Sequence, residues 1–265
     1  MQSFNIPAPS KLFSLQPEGM GSPYCESLAS YAMRLAEAHC IDVCVLIYQF
    51  VHPLIGSAWK DTPSRRSLCK VDRADLGNLT SAHVHIGKWL DMSKETEATV
   101  SALGELTKRQ DLYLLTTLPL KGYVKRDSVL RLQLAWCPDC YQEQRSAGQP
   151  VYDLLIWSFR DVCVCRRHNR RLRSSCYWCT SRQPVLKFWS QPGQCGRCGI
   201  EFDAEDTHPY SPTIEEAWKA DTIGDLLTRW SKLEPGKQKR PPTLQKVLAS
   251  NYSRKCWPPT MARRI

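Results

Sequence analysis

Long apolar runs are missing from this chain of 265 residues. No stretch approaches the roughly 18 consecutive apolar residues of a membrane span, so no membrane segment is expected. Met1 to Met20 lacks both a basic start and a continuous apolar core, which argues against a secretory leader and for a reducing compartment. Catalytic signatures are missing as well. There is no His-Glu-x-x-His, no P-loop and no Gly-x-Ser-x-Gly. His83 and His85 flank Val84 on one face of an expected strand and could suggest a metal pair, but they read better as surface histidines. An enzyme is therefore not expected. What remains is a globular composition, 42% hydrophobic and 23% charged, long enough for one core or for two or three small units.

Acidic residues are scarce where basic ones concentrate. Met1 to Leu130 is nearly balanced, with 14 basic and 13 acidic side chains, and Glu201 to Thr228 runs acidic, 1 against 8. Arg131 to Ile200 carries 11 against 4, and Arg229 to Ile265 carries 10 against 1. Such a tail suits a phosphate backbone, which releases counterions when neutralised, or an acidic protein surface; the plain alternative is a solvated charged tail. Its candidate contacts are Lys237, Lys239, Arg240, Arg254, Lys255, Arg263 and Arg264.

Thirteen cysteines would form disulfides in a secreted miniprotein, but paired Cys-x-x-Cys units inside a cell point to metal. Four short pairs follow in series: Cys137 and Cys140, Cys165 and His168, Cys176 and Cys179, Cys195 and Cys198. A two-residue spacer lets both side chains of a knuckle face one tetrahedral ion, and two knuckles close its shell. Two structural zinc ions are expected. Neighbour pairing gives Cys137, Cys140, Cys165 and His168 to the first and the remaining four cysteines to the second; interleaving the first knuckle with the third is the alternative. Gly193, Gly196 and Gly199 surround the last knuckle, where the chain must turn sharply. Cys163 lies between Val162 and Val164 and reads as a buried hydrophobe on a strand. A redox role for the pairs would need a thioredoxin-like context that four pairs in series do not offer. Arg166, Arg167, Arg170, Arg171 and Arg173 surround His168, suited either to phosphate or to screening the thiolates, which lower this segment's charge from +7 to about +4.

The remainder reads as helical. Glu26 to His39 has helical apolar spacing with Glu26, Arg34 and Glu37 left for solvent. Val43 to Val51 forms a second helix that Ile41 and Asp42 can cap and that Pro53 stops, so the two resemble a helix-turn-helix. Lys94 to Thr107 and Arg109 to Leu118 read as short helices. Thr213 to Glu216 has capping-box spacing ahead of Ile214, Ala217, Trp218, Ile223, Leu226, Leu227 and Trp230, with Gly224 a candidate break, and a last short helix is expected around Leu244 to Leu248. The expected fold is mainly α with small zinc-stabilised β and knuckle elements. It divides into an N-terminal helix-turn-helix-like bundle (1–130), a tandem zinc-finger module (131–202), and C-terminal helices with the basic tail (203–265).

Two groups of residues jointly carry a resemblance. One is Cys25-Glu26-Ser27-Leu28-Ala29-Ser30-Tyr31 continued by Arg34-Leu35-Ala36. The other is Trp136-Cys137-Pro138-Asp139-Cys140, then Trp157 ahead of Cys165 and His168, and Leu172 before Cys176 and Cys179. The chain resembles the TniQ family, the targeting subunits of Tn7-like transposons, which includes the TnsD proteins. Cys25 stands where that family often has glycine, and Arg166 and Tyr177 where knuckle prolines are frequent; these departures affect loop shape and leave every metal ligand in place. The resemblance implies a non-enzymatic adaptor in the bacterial cytoplasm. It would bridge an RNA-guided CRISPR effector complex (Cascade or a single-protein effector, with its guide RNA) to the AAA+ ATPase TnsC, beside target DNA backbone, with homodimerisation open. A TnsD-like protein that reads an attachment site directly is the alternative. Pro9, Leu12, Phe13 and Leu15 form a candidate partner-docking strip, or else a strap over the core.

Overall fold

The computed structural model describes residues 9–55, 89–125, 129–187, 190–203, 210–229 and 248. His83, His85, Trp230 and the expected last helix apart from Leu248 lie outside that set. Five α-helices and one two-stranded ribbon are described, so the fold is mainly helical, with knuckle elements at its centre.

Helix α1 (Leu28–Ala38) starts where the Ser27 side chain accepts from the Ser30 backbone N–H. It ends where Cys40 turns left-handed at φ 52°, with Cys40 N–H donating to the Glu37 carbonyl and Ile41 N–H to that of Ala36. This tight stop sends the chain into α2 (Val43–Ile55) at 104° to α1, the geometry of a helix-turn-helix. Asp42 occupies the N-cap of α2, but its side chain makes no capping bond.

Pro53 does not stop α2. The segment Leu46–Val51 widens into a π-helical turn before helix resumes at His52–Ile55, and His52 N–H donates to the Ile47 carbonyl, five residues back. In α register the proline ring would collide with the carbonyl four residues earlier. The wider turn moves that carbonyl aside, so the bulge carries the helix past the proline.

The larger correction concerns α1. Every residue from Leu28 to Ala36 is buried, so α1 is the central helix rather than one with a wet side. Glu26 (0% exposed) and Arg34 (7%) lie inside with it; only Glu37 stays in solvent. The Arg34 Nη1 donates to Glu26 at 2.6 Å and its Nη2 reaches Glu18 at 3.1 Å. Glu26 also accepts from the Ser30 hydroxyl at 3.0 Å and the Glu18 N–H at 3.2 Å. Burial pushes the Glu26 carboxyl up to about 7 against the pull of Arg34.

Helix α3 (Lys94–Thr107) is capped by Ser93 and ends at left-handed Lys108. The stretch expected as a helix from Arg109 instead forms two 3-10 turns, Leu112–Leu115 and Leu118–Leu120, because Pro119 and the threonines before it break α register. Helices α1, α2 and α3 share one apolar core with Leu112, Leu115 and two residues of the cysteine-rich segment, Val185 and Leu186. A second core joins Leu155, Phe159, Val162 and Val164 to Ala220, Ile223 and Leu227 of α5 (Ile214–Thr228). The capping box at Thr213 and Glu216 is formed. Gly224 does not break α5: a Cβ there would stand 3.1 Å from Pro23, so glycine allows close packing. Ile214, expected on the apolar face, is exposed. No single helix among the described residues is long and apolar enough to cross a membrane.

The N-terminal helices and the zinc-binding segment are joined by backbone. Ser27 N–H donates to the Asp153 carbonyl, Leu155 N–H to that of Cys25, and Asp153 N–H to the Ser30 hydroxyl at 2.9 Å. Removing one partner of a buried ion pair strands the other charge. Glu26→Ala should therefore lower stability by about 3 to 5 kcal/mol, against less than about 0.5 for Glu37→Ala, compared by urea denaturation of the zinc-loaded protein.

Candidate metal centres

Each ligand pair is placed by a different local device. Cys137 is the N-cap of α4 (Pro138–Ser146), with Pro138 at its first position, so Cys137 and Cys140 project from a helix start where backbone N–H groups favour anionic sulfur. The other three pairs lie in tight knuckles, and in each the residue after the last ligand is left-handed: Asn169 at φ 50°, Thr180 at 56° and Gly199 at 76°. That conformation turns the chain back so that Thr180 N–H reaches the Cys176 carbonyl and Gly199 N–H that of Cys195. Strand β1 (Val164–Cys165) pairs antiparallel with β2 (Arg170–Arg171) to close the second pair.

The ligand atoms gather into two groups, Cys137, Cys140, Cys165 and His168, and Cys176, Cys179, Cys195 and Cys198, all within 4.8 Å of one another in each group. The grouping is sequential and not interleaved. In the first, the His168 Nδ1 lies 3.4 to 3.6 Å from three sulfurs, and Cys140 and Cys165 are 3.6 Å apart. In the second, Cys176 and Cys198 are 3.8 Å apart and Cys179 and Cys195 3.6 Å. A tetrahedral zinc with bonds of about 2.3 Å to sulfur and 2.0 Å to nitrogen has edges of about 3.5 to 3.8 Å, so both groups fit such an ion. Four protein donors leave no water position, and a site of that kind holds structure together rather than catalysing.

The surroundings complete each centre. His168 presents Nδ1 to the sulfurs while its Nε2 bonds Glu143 at 2.8 Å, which fixes the ring and its tautomer. Buried Gln183 does the same for the second centre: its amide nitrogen donates to the Cys195 sulfur at 3.2 Å, and its oxygen accepts from the Gly196 N–H at 2.7 Å. Sequence reasoning missed both, because neither has a spacing signature. Beneath the centres, Tyr141 donates to Asp153, whose second oxygen lies 3.8 Å from the fully buried Lys187. Burial lowers the Lys187 ammonium and raises the Tyr141 phenol. Phe202 stacks on Trp136 at 4.2 Å, and Tyr141 meets Trp157 edge-on at 5.2 Å.

Cys163 is outside both centres. It is half-buried, not buried, since Val162 and Val164 take the inward side of the alternation and leave the cysteine facing out.

The arginines around His168 are brought together, but with carboxylates. Arg166 pairs with Asp221 at 2.8 Å, Arg167 with Glu143 at 3.0 Å, Arg170 with Asp139 at 2.7 Å, and Arg171 with Glu216 at 3.8 Å while lying over the Tyr210 ring. Arg173 pairs through its backbone with Trp136. The first centre is thereby bound to α4 and α5. The tail cations Lys237, Lys239, Arg240, Arg254, Lys255, Arg263 and Arg264 lie outside the described residues. In the N-terminal strip, Leu12 is buried in the first core and Leu15 packs against it, whereas Pro9 and Phe13 are exposed, Phe13 stacking on His39 at 4.1 Å.

Among protein-family models, the one described as TniQ matches residues 20–172, more than half of the chain. No curated protein matches. The matched span takes in the Glu26 motif and the whole first centre and ends before Cys176.

Replacing Cys195 and Cys198 together by serine should halve the zinc content from two ions per chain and leave the first group filled, measured by elemental mass spectrometry. Glu143→Gln should weaken zinc at the first centre about 10-fold to 100-fold, read by competition with a chromogenic chelator.

Proposed function

The chain belongs to the TniQ family, and from that premise we propose that it is the adaptor that carries target choice from an RNA-guided CRISPR effector complex to the AAA+ ATPase TnsC. Proteins of this family select the target in Tn7-like transposition and are non-enzymatic. In this reading the chain works in the bacterial cytoplasm and divides into an N-terminal unit (1–130), a metal-binding module (131–202) and a C-terminal unit (203–265).

The observation that favours an adaptor over a direct site reader is the character of α2. In a DNA-binding helix-turn-helix the second helix enters the major groove and reads base edges with Arg, Lys, Asn or Gln, close to a phosphate wall. Val43–Ile55 contains no Lys and no Arg. Its outer side offers Gln49, Pro53 and Leu54, flanked by half-buried Tyr48, Phe50 and His52. Such a surface suits a protein partner. The zinc ions, held by Cys137, Cys140, Cys165 and His168 and by Cys176, Cys179, Cys195 and Cys198, would keep that surface and the C-terminal helix in fixed relation. A TnsD-like reader would have to bind through the zinc segment or the basic tail instead.

The test is capture of purified TnsC and of the effector complex by the tagged, zinc-loaded chain. Leu54→Asp should cut TnsC capture at least tenfold while zinc content and melting behaviour stay unchanged. Selective binding to one duplex sequence with no protein captured would establish the direct reader in its place.

A further inference from the structure

The two metal centres face their surroundings with opposite electrostatics. Around the first, Arg166, Arg167, Arg170 and Arg171 are each paired with a carboxylate from another element. Around the second, Arg145 pairs with Glu201 at 3.3 Å, but two exposed arginines have no carboxylate partner among the described residues. From Val162 to Ile200 the chain contains no Asp or Glu. Arg182 is exposed, and among the described residues its guanidinium bonds the neutral Gln133, at 3.3 Å. Arg197 is exposed, and its guanidinium has no acidic partner among the described residues.

An aromatic ring in water belongs to the same four-cysteine unit. Trp178 is 72% exposed, and its indole packs on no other ring among the described residues. Its position is rigid, because Trp178 is in the spacer between Cys176 and Cys179, and Arg197 is in the spacer between Cys195 and Cys198 of the same four-cysteine group, whose sulfurs lie within 4.8 Å of one another. Arg182 joins that face through the antiparallel bridge between it and Ser175. A core has no use for an indole so placed, and a four-thiolate zinc of net charge −2 is already screened from below by the Gln183 amide and backbone N–H groups at Cys195.

We infer that the outer face of the second centre, Trp178 with Arg182 and Arg197, binds an unpaired nucleic-acid strand, one base stacking on the indole and the flanking phosphates meeting the two guanidinia. An exposed flat ring and exposed cations on one metal-binding unit match the alternation of base and phosphate along a single strand. Duplex is excluded because its base faces are already covered by their neighbours, leaving nothing for an indole to stack on. Tryptophan and arginine also anchor protein interfaces, and a protein occupant is the outcome that the TnsC arm of the test separates. None of this depends on which ATPase or effector the chain meets.

The experiment uses the full zinc-loaded chain and fluorescence anisotropy of labelled oligo(U), oligo(dT) and a mixed-sequence duplex, each about 12 nucleotides long. Both single strands should bind more tightly than the duplex, with the tighter of the two identifying RNA or DNA as the source. Trp178→Ala should weaken strand binding about tenfold and Trp178→Phe much less. Arg197→Ala should lower the slope of log affinity against log salt by about one. Zinc content should remain two per chain in all three variants, since none is a ligand. Equal binding of duplex and single strand, or unchanged strand binding by zinc-loaded Trp178→Ala, overturns the inference. Loss of TnsC capture in Trp178→Ala with strand binding intact does so too, and assigns the face to protein. If the wild-type chain binds strands but captures no TnsC, the adaptor reading fails and this one stands.

Discussion

A charge pair with no water around it organises the N-terminal half. Glu26 and Arg34 lie on and beside a helix whose every flank is covered, and their remaining capacity is taken up by Glu18 and Ser30. Desolvating two ions costs several kcal/mol each, so such a pair contributes less to stability than to uniqueness: only an arrangement that satisfies both charges is tolerable. Here that arrangement requires Ser30 to hold Asp153, and Asp153 in turn to accept from Tyr141 and face Lys187. Orientation of α1 and placement of the zinc-binding segment are therefore one decision.

Metal ions held by the two ligand groups would do for residues 129–203 what a larger apolar core does elsewhere. The segment's regular structure is one short helix, one two-residue ribbon and a 3-10 turn, far too little to bury a stable core, whereas structural zinc supplies on the order of 10 to 16 kcal/mol. Aromatic side chains fill what the ions leave open, with Trp136, Tyr141, Trp157 and Phe202 packed among the ligand cysteines. Ion pairs from Arg167 and Arg170 tie the ribbon to the unit's own helix α4, and those from Arg166 and Arg171 bind the unit to α5.

The ligand groups were legible because tetrahedral coordination constrains spacing so tightly that four pairs in series admit few assignments. Helix α5 was legible from its capping box and apolar residues, and the bounds of α3 matched the reading of Lys94 to Thr107. What could not be read was whatever depends on distant partners. A helical wheel puts a glutamate and an arginine in solvent by default; Glu18, outside the helix, and Asp153, far off in sequence and acting through Ser30, go with bringing Glu26 and Arg34 inside. The arginines around His168 looked available because their carboxylates, Asp221 and Glu216, follow some fifty residues later. Pro53 looked like a stop because a π-turn has no pattern in the sequence, and Glu143 and Gln183 are ordinary polar residues until the ligands they support are in place.

The bond between Ser30 and Asp153 spans 123 residues, and that distance sets an order of events during synthesis. Helix α1 emerges early, with two charges that cannot be buried until the far end of the network exists. At about 5 to 20 residues per second, Asp153 follows Ser30 by about 6 to 25 s, and the knuckles come later still. Through that interval α1 has no native partner for its Asp153-facing side, and long-range contacts of this kind slow folding because loop closure precedes any gain. The N-terminal half of a nascent chain thus waits on its middle, and its first helix settles into place only after that middle has been made.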